Sequence, residues 1–141
     1  MISLDFKTIA ARMRAVRFPV TDLVVGIGTG GIPPAVMAAF HLQTDLGILT
    51  LNYRDADNRP LYDQPVVLGF PAGLPAESKR ILLVDDVSVT GKTLETARAL
   101  LAGHTVTTLT LKGKADIVLF PEIPECVNWP WKKSRTGPEG R

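Results

Sequence analysis

Cysteine occurs once in this 141-residue chain, at Cys126, so no disulfide can form within it and a cross-linked framework is excluded. Histidine is nearly as scarce. His41 and His104 are both remote in sequence from the cysteine and from any acidic cluster, which leaves ordinary structural roles as the expectation and excludes the ligand spacings of a zinc site. No apolar run approaches the roughly 18 residues of a membrane span. The first residues, Met1-Ile2-Ser3-Leu4-Asp5-Phe6-Lys7, include an acid and lack the basic cluster and apolar stretch of a secretory leader. A soluble, cytoplasmic protein is expected. Strong charge of one sign is missing as well. The last ten residues, Lys132 to Arg141, hold four of the 16 bases and one of the 14 acids, leaving the body at 12 bases against 13 acids. Such a body lacks the basic face that nucleic-acid binding requires.

What is present is an ordinary globular composition in a length that suits one domain. We expect that domain over residues 1–131 and a basic, solvated, disordered tail over 132–141, given the tail's Ser, Gly, Pro and charge. Phe6, Ile9, Ala10, Met13 and Val16 recur at helical spacing, with Ser3 as a candidate cap and Pro19 as a stop. Leu23 to Ile27 reads as a strand, Gly28-Thr29-Gly30-Gly31 as a loop, and Pro33 or Pro34 as the first turn of a helix to about Phe40. Leu46 to Leu51 gives the next strand. The polar segment Asn52 to Gln64 is long for a connection and is expected to act as a lid. Ile81 to Val84 reads as a strand buried on both faces, Leu94, Ala97, Leu100 and Leu101 as a helix, and Thr105 to Leu111 as another strand. From Phe120 onward, prolines argue against regular structure. Alternating strands and helices predict an α/β domain with an open, mainly parallel sheet flanked by helices.

The chemistry concentrates between Ile81 and Thr93. A buried strand stops at Asp85-Asp86 and leads through Val87-Ser88-Val89-Thr90-Gly91 into the helix that opens at Lys92-Thr93. Ligands of open α/β sheets gather at the carboxyl ends of strands. Helix-start amides attract anions, and Ser88, Thr90 and Thr93 add hydroxyl donors, so a phosphate fits this loop. Two carboxylates repel a phosphate and suit hydroxyl groups or a hydrated cation. A phosphate beside a diol, as in ribose 5-phosphate, satisfies both halves. A P-loop is excluded because Asp86 stands where that motif has its first glycine. Gly26-Ile27-Gly28-Thr29-Gly30-Gly31 matches the dinucleotide fingerprint formally, but no acid ends the next strand, where Leu51, Asn52 and Tyr53 stand; a second phosphate loop is the better reading.

Ile81 to Thr93 resembles the phosphoribosyl pyrophosphate signature of type I phosphoribosyltransferases. The resemblance implies that Asp85 and Asp86 hold the ribose hydroxyls and, indirectly, Mg²⁺. It implies that Ser88, Val89, Thr90, Gly91, Lys92 and Thr93 hold the 5-phosphate, and that Thr29, Gly30 and Gly31 hold pyrophosphate. Asn52 to Gly69 takes the place of the family's hood, with Tyr53 and Arg54 at its start. Lys112 and the segment Ile123 to Trp131 are similar to the small 6-oxopurine enzymes of the xanthine-guanine and hypoxanthine type. By that similarity Lys112 faces the exocyclic oxygen of the base and the Val127 backbone its edge, while Trp129, Trp131 or Tyr53 stacks on the ring. Val89 stands where that subgroup carries an acid, and Cys126 where it carries a stacking aromatic. The implied protein is a homodimeric enzyme that uses phosphoribosyl pyrophosphate, a nucleobase and Mg²⁺. The competing class is a non-catalytic sensor of phosphoribosyl pyrophosphate or a nucleotide on the same fold.

Overall fold

Ile81, Leu82, Leu83 and Val84 are each at most 2% exposed, and alternate side chains of this strand enter two different cores. A computed structural model describes residues 1–51, 67–69 and 76–132, with 67–69 as backbone. In chain order the elements are β1 (Ile2–Ser3), α1 (Phe6–Arg14), β2 (Leu23–Gly28), α2 (Ile32–Leu42), β3 (Asp45–Leu51), β4 (Val67–Gly69), β5 (Arg80–Ser88), α3 (Lys92–Leu100), β6 (Thr105–Gly113), β7 (Ile117–Val118) and β8 (Val127–Asn128).

The main sheet has the order β4-β3-β2-β5-β6-β7, with five parallel strands and β4 antiparallel at the edge of β3. Leu82, Val84, Leu109 and Leu111 form one core with Ile9 and Met13 of α1, Ala35 and Ala38 of α2, and Phe120 and Trp129 of the C-terminal segment. Ile81, Leu83, Val25, Ile27 and Leu49 form the other with Leu94 and Ala97 of α3 and Leu101. The α/β, mainly parallel architecture read from the sequence is the observed one.

Several local expectations are corrected. The first helix is capped by Asp5, whose Oδ1 accepts the Thr8 amide at 2.8 Å; Ser3 lies in β1 instead. That helix ends at Arg14, well before Pro19. The stretch after Phe120 contains β8, which pairs in parallel with β1 through Ile2↔Val127 and Ser3↔Asn128. Two-residue strands carry no periodicity, so neither partner was visible in the sequence. Within the expected hood, Val67–Gly69 is a strand on β3. Tyr53 and Arg54 lie outside the described residues, as do 133–141 of the expected tail. His104 accepts the Lys79 amide on Nδ1 at 2.9 Å, and the His41 ring lies 5.9 Å from that of Phe18.

From β2 the chain passes through α2 to β3 on one side, and from β5 through α3 to β6 on the other. The carboxyl ends of β2 and β5 are therefore neighbours at a topological switch point, where open sheets bind ligands. Gly31 lets the two loops meet there. A Cβ on Gly31 would lie 2.6 Å from the carbonyl oxygens of Ile27 and Val84 and 2.9 Å from Asp85 Cα, all backbone atoms that cannot swing aside. At Gly28 a Cβ would make contacts of 3.5–3.6 Å, which are ordinary. Gly31→Ala should therefore destabilise the protein by about 1–3 kcal/mol, the usual cost of overpacking, and Gly28→Ala by much less. Urea midpoints compare the two, and equal midpoints would remove this account of Gly31.

Candidate active site

β5 runs out of the core at Asp85 and Asp86, each only 9% exposed. Asp85 accepts the Asp86 amide on Oδ1 at 2.8 Å, and Asp86 accepts the Val87 amide on Oδ1 at 2.7 Å. Burial, and after it the neighbouring charge of Asp86, push the Asp85 carboxyl up to about 8. Asp86 Oδ2 is 3.0 Å from Lys132 Nζ. Gly30 of the preceding loop lies against the same carboxylate: a Cβ there would meet Asp86 Oδ2 and sit 2.8 Å from its Cγ. The two loops that the sequence assigned to ribose and to pyrophosphate are thus in contact.

Each loop has its own local cause. Ser88 closes β5 and is buried, whereas Val89 is 77% exposed and Thr90 is exposed. Thr90 Oγ1 accepts the Lys92 amide at 3.2 Å, and Gly91, at φ 87°, turns the chain into α3. Gly91 at the N-cap of α3 brings no side-chain acceptor of its own to the helix start, where the Thr90 hydroxyl takes the Lys92 amide. Lys92 and Thr93 form its first turn, half-buried. In the other loop the Gly28–Thr29 peptide is cis, Thr29 is exposed, and Gly31 donates its amide to the Ile27 carbonyl at 2.8 Å. Gly31 therefore serves the packing of the loop; of the three residues assigned to pyrophosphate, its amide is already engaged.

Beside the acids lies a cleft of about 310 Å³, lined by Met1, Val87, Val89, Lys112, Cys126, Val127, Asn128, Trp129 and Lys132. β6 delivers Lys112 to it, in register with Val87. Lys112 Nζ donates to the Glu125 carbonyl, and β1 holds the far wall through the Ile2 amide on the Cys126 carbonyl at 3.3 Å. Lys112, Val127 and Trp129 are thus brought to one cavity. Trp129 reaches it from inside the core, with 3% exposure and with Trp131 stacked on it at 5.7 Å and 5°. That leaves a base little ring face to stack on. Two larger grooves, of about 470 and 730 Å³, lie between α1 and α2 and beside α2 and β3, away from the acids.

Lys132 was placed with the solvated tail by sequence and in fact pairs with Asp86. Met1 and Asn128 were also missed. None of the three belongs to a motif, and the one available signal for Lys132 was its position directly after the Trp129-Pro130-Trp131 ending. Among the described residues no group of three or more His, Cys, Asp or Glu side chains could by itself hold a metal ion, and no helix is long and apolar enough to cross a membrane.

A family model described as the phosphoribosyl transferase domain matches residues 13–113. An orotate phosphoribosyltransferase of Saccharolobus solfataricus is 35% identical over 77 residues, which cover 54% of this chain and 34% of that protein. The chain therefore matches about a third of that relative's length. A purine phosphoribosyltransferase of Pyrococcus horikoshii superposes with a TM-score of 0.75 at 24% identity, covering 94% of each chain. A xanthine-guanine-hypoxanthine phosphoribosyltransferase of Helicobacter pylori superposes with a TM-score of 0.73 at 16% identity, covering 92% of each. These two superpositions establish the shared fold.

The buried acid gives a pH test. With its carboxyl raised to about 8, folded Asp85 keeps a proton that the unfolded chain, at an ordinary value of about 4, has released. Its contribution to stability is complete below about pH 4 and is lost as pH rises to about 8. Asp85→Asn keeps the shape and stays neutral. Its gain in Tm over the native chain should be small near pH 4 and large at pH 8; the same gain at both would show that Asp85 ionises freely in the folded protein.

Proposed function

Because the chain belongs to the phosphoribosyl transferase family, we propose that it transfers the 5-phosphoribosyl group of phosphoribosyl pyrophosphate to a nitrogenous base, a 6-oxopurine, and releases pyrophosphate. The observation that carries this reading is the junction of three features: the Asp85-Asp86 pair, the Gly30 loop against it, and the Lys112 cleft beside it. Ribose hydroxyls donate to the two acids, the 5-phosphate takes the start of α3, and the base enters the cleft. The loop at Thr29 and Gly30 then faces the leaving group at the sugar's other end.

The work of this chain is positioning and electrostatics, because the leaving group is already good. Asp86, held by the Val87 amide, fixes the ribose and places a carboxylate near the positive charge that develops on the ring. Asp85, buried beside it with Oδ1 on the Asp86 amide, turns its other oxygen to the same diol. The donor set fits Mg²⁺ in the manner usual for that ion, with one or two carboxylates acting with waters and substrate phosphates and no dedicated protein cage. When bound with the substrate, the ion supplies neutralising charge for departing pyrophosphate. Lys112 spends one of the three ammonium donors on Glu125 and keeps capacity for an exocyclic oxygen. In this proposal two copies of the chain form the active dimer. Exposed Val36, Phe40 and Leu46, which share the groove beside α2 and β3, support the dimer.

Val89 favours a second reading, that of a phosphoribosyl pyrophosphate or nucleotide sensor: a 77% exposed aliphatic side chain on the cleft cannot take the proton of a purine nitrogen. Pyrophosphate release with a panel of bases separates the two, since a sensor binds without turnover. For the enzyme, Lys112→Ala should lower 6-oxopurine turnover about 10- to 100-fold, the worth of one charge-assisted hydrogen bond, and leave phosphoribosyl pyrophosphate affinity near native. Val89→Asp should raise the rate. Faster native turnover of adenine or a pyrimidine than of hypoxanthine, guanine or xanthine would overturn the 6-oxopurine assignment.

A further inference from the structure

Lys132 has no part in the assignments above, yet its side chain reaches both the acids and the cleft. Its Nζ lies 3.0 Å from Asp86 Oδ2, and the same residue lines the cleft with Lys112, Val89 and Val127. Its backbone is anchored: the Lys132 amide donates to the Trp129 carbonyl at 3.1 Å, and Trp129 is core, stacked on Trp131, which in turn packs on Phe6 at 5.9 Å. The ammonium is therefore delivered to Asp86 by a fixed segment. The pair is asymmetric, with 13% of the Asp86 side chain exposed against 52% of Lys132.

The Asp86 carboxylate has little room for a second partner. Oδ1 already accepts the Val87 amide at 2.7 Å, and Gly30 packs against Oδ2 and Cγ. Oδ2, the oxygen that a ligand hydroxyl would need, is the one Lys132 takes. A hydroxyl donor and the ammonium compete for the same acceptor in the same narrow approach.

We propose that Lys132 is an internal stand-in for the sugar, occupying Asp86 Oδ2 until a ribose hydroxyl displaces it. The proposal rests on the reading of Asp85-Asp86 as the ribose site. Lys132 is a positioning residue here: it holds Asp86 ready and out of contact with other cations, and binding of the sugar must break its ion pair. On displacement the ammonium moves from the acid toward the solvent it half faces. The cleft then loses a side chain that now forms part of its wall.

The test uses the full chain and two probes, inorganic phosphate and ribose 5-phosphate, titrated by calorimetry. Lys132→Met removes the charge and keeps the aliphatic stem. Ribose 5-phosphate should bind this variant about two- to fivefold more tightly than the native chain, the range expected when a half-exposed ion pair stops competing. Inorganic phosphate, which needs only the α3 loop, should bind both alike. Lys132→Arg should restore native affinity. Near-ultraviolet circular dichroism of the Trp129–Trp131 stack confirms that each variant is folded. Unchanged or weaker ribose 5-phosphate binding in Lys132→Met overturns the proposal, and equal tightening for both probes overturns it too, since that marks a general charge effect. If native protein binds ribose 5-phosphate no better than phosphate, the ribose reading itself fails and this proposal falls with it. If the native chain does prefer the sugar and the variant gains nothing, only the role of Lys132 fails.

Discussion

Two carboxyl groups next to each other in sequence, both about nine-tenths out of water, repel each other and resist ionising together, and the surroundings of β5 answer that difficulty in three ways. Asp85 keeps its proton into the alkaline range. Asp86 receives a cation from the C-terminal segment, and each acid accepts the amide of the residue that follows it in β5. Carboxyl pairs whose ionisation is perturbed in this way cluster at functional sites. Removing β5 from this account would leave Gly30, Lys112 and Lys132 with nothing to converge on.

The strand order supplies the convergence. Because the connections leave β2 and β5 in opposite directions, no connection crosses between the carboxyl ends of these neighbours, and their two loops can be shaped independently. Glycine at positions 30 and 31 brings them to van der Waals contact, and a side chain at either would force them apart. The neighbouring cleft is built differently, by the end of β6 and by a ribbon made from the two ends of the described chain.

This difference explains what was legible in the sequence. Ile81 to Thr93 is one continuous stretch in which an apolar run, two acids, small hydroxylated residues and a helix start follow one another, so strand, site and helix could all be read locally. The glycine loop could be read as a loop from its flanking strand and helix, but the engagement of the Gly31 amide depends on the path back to Ile27. Lys132 was misplaced because composition describes a segment as a whole, and nothing in Lys132-Lys133-Ser134-Arg135 marks the first lysine as facing an acid 46 positions earlier. β1, β8 and β4 escaped for a related reason: strands of two or three residues are defined by their partners.

The β1–β8 ribbon has a kinetic consequence. Ser3 and Asn128 are 125 residues apart, and closing so long a loop costs more chain entropy than closing the short loops within Ile81 to Thr93. Four paired residues cannot offset that cost before the main sheet has brought the ends together. The wall carrying Cys126, Val127 and Asn128 therefore depends on the main sheet being in place, which makes the β1–β8 pairing the part of the cleft expected to open first in local unfolding.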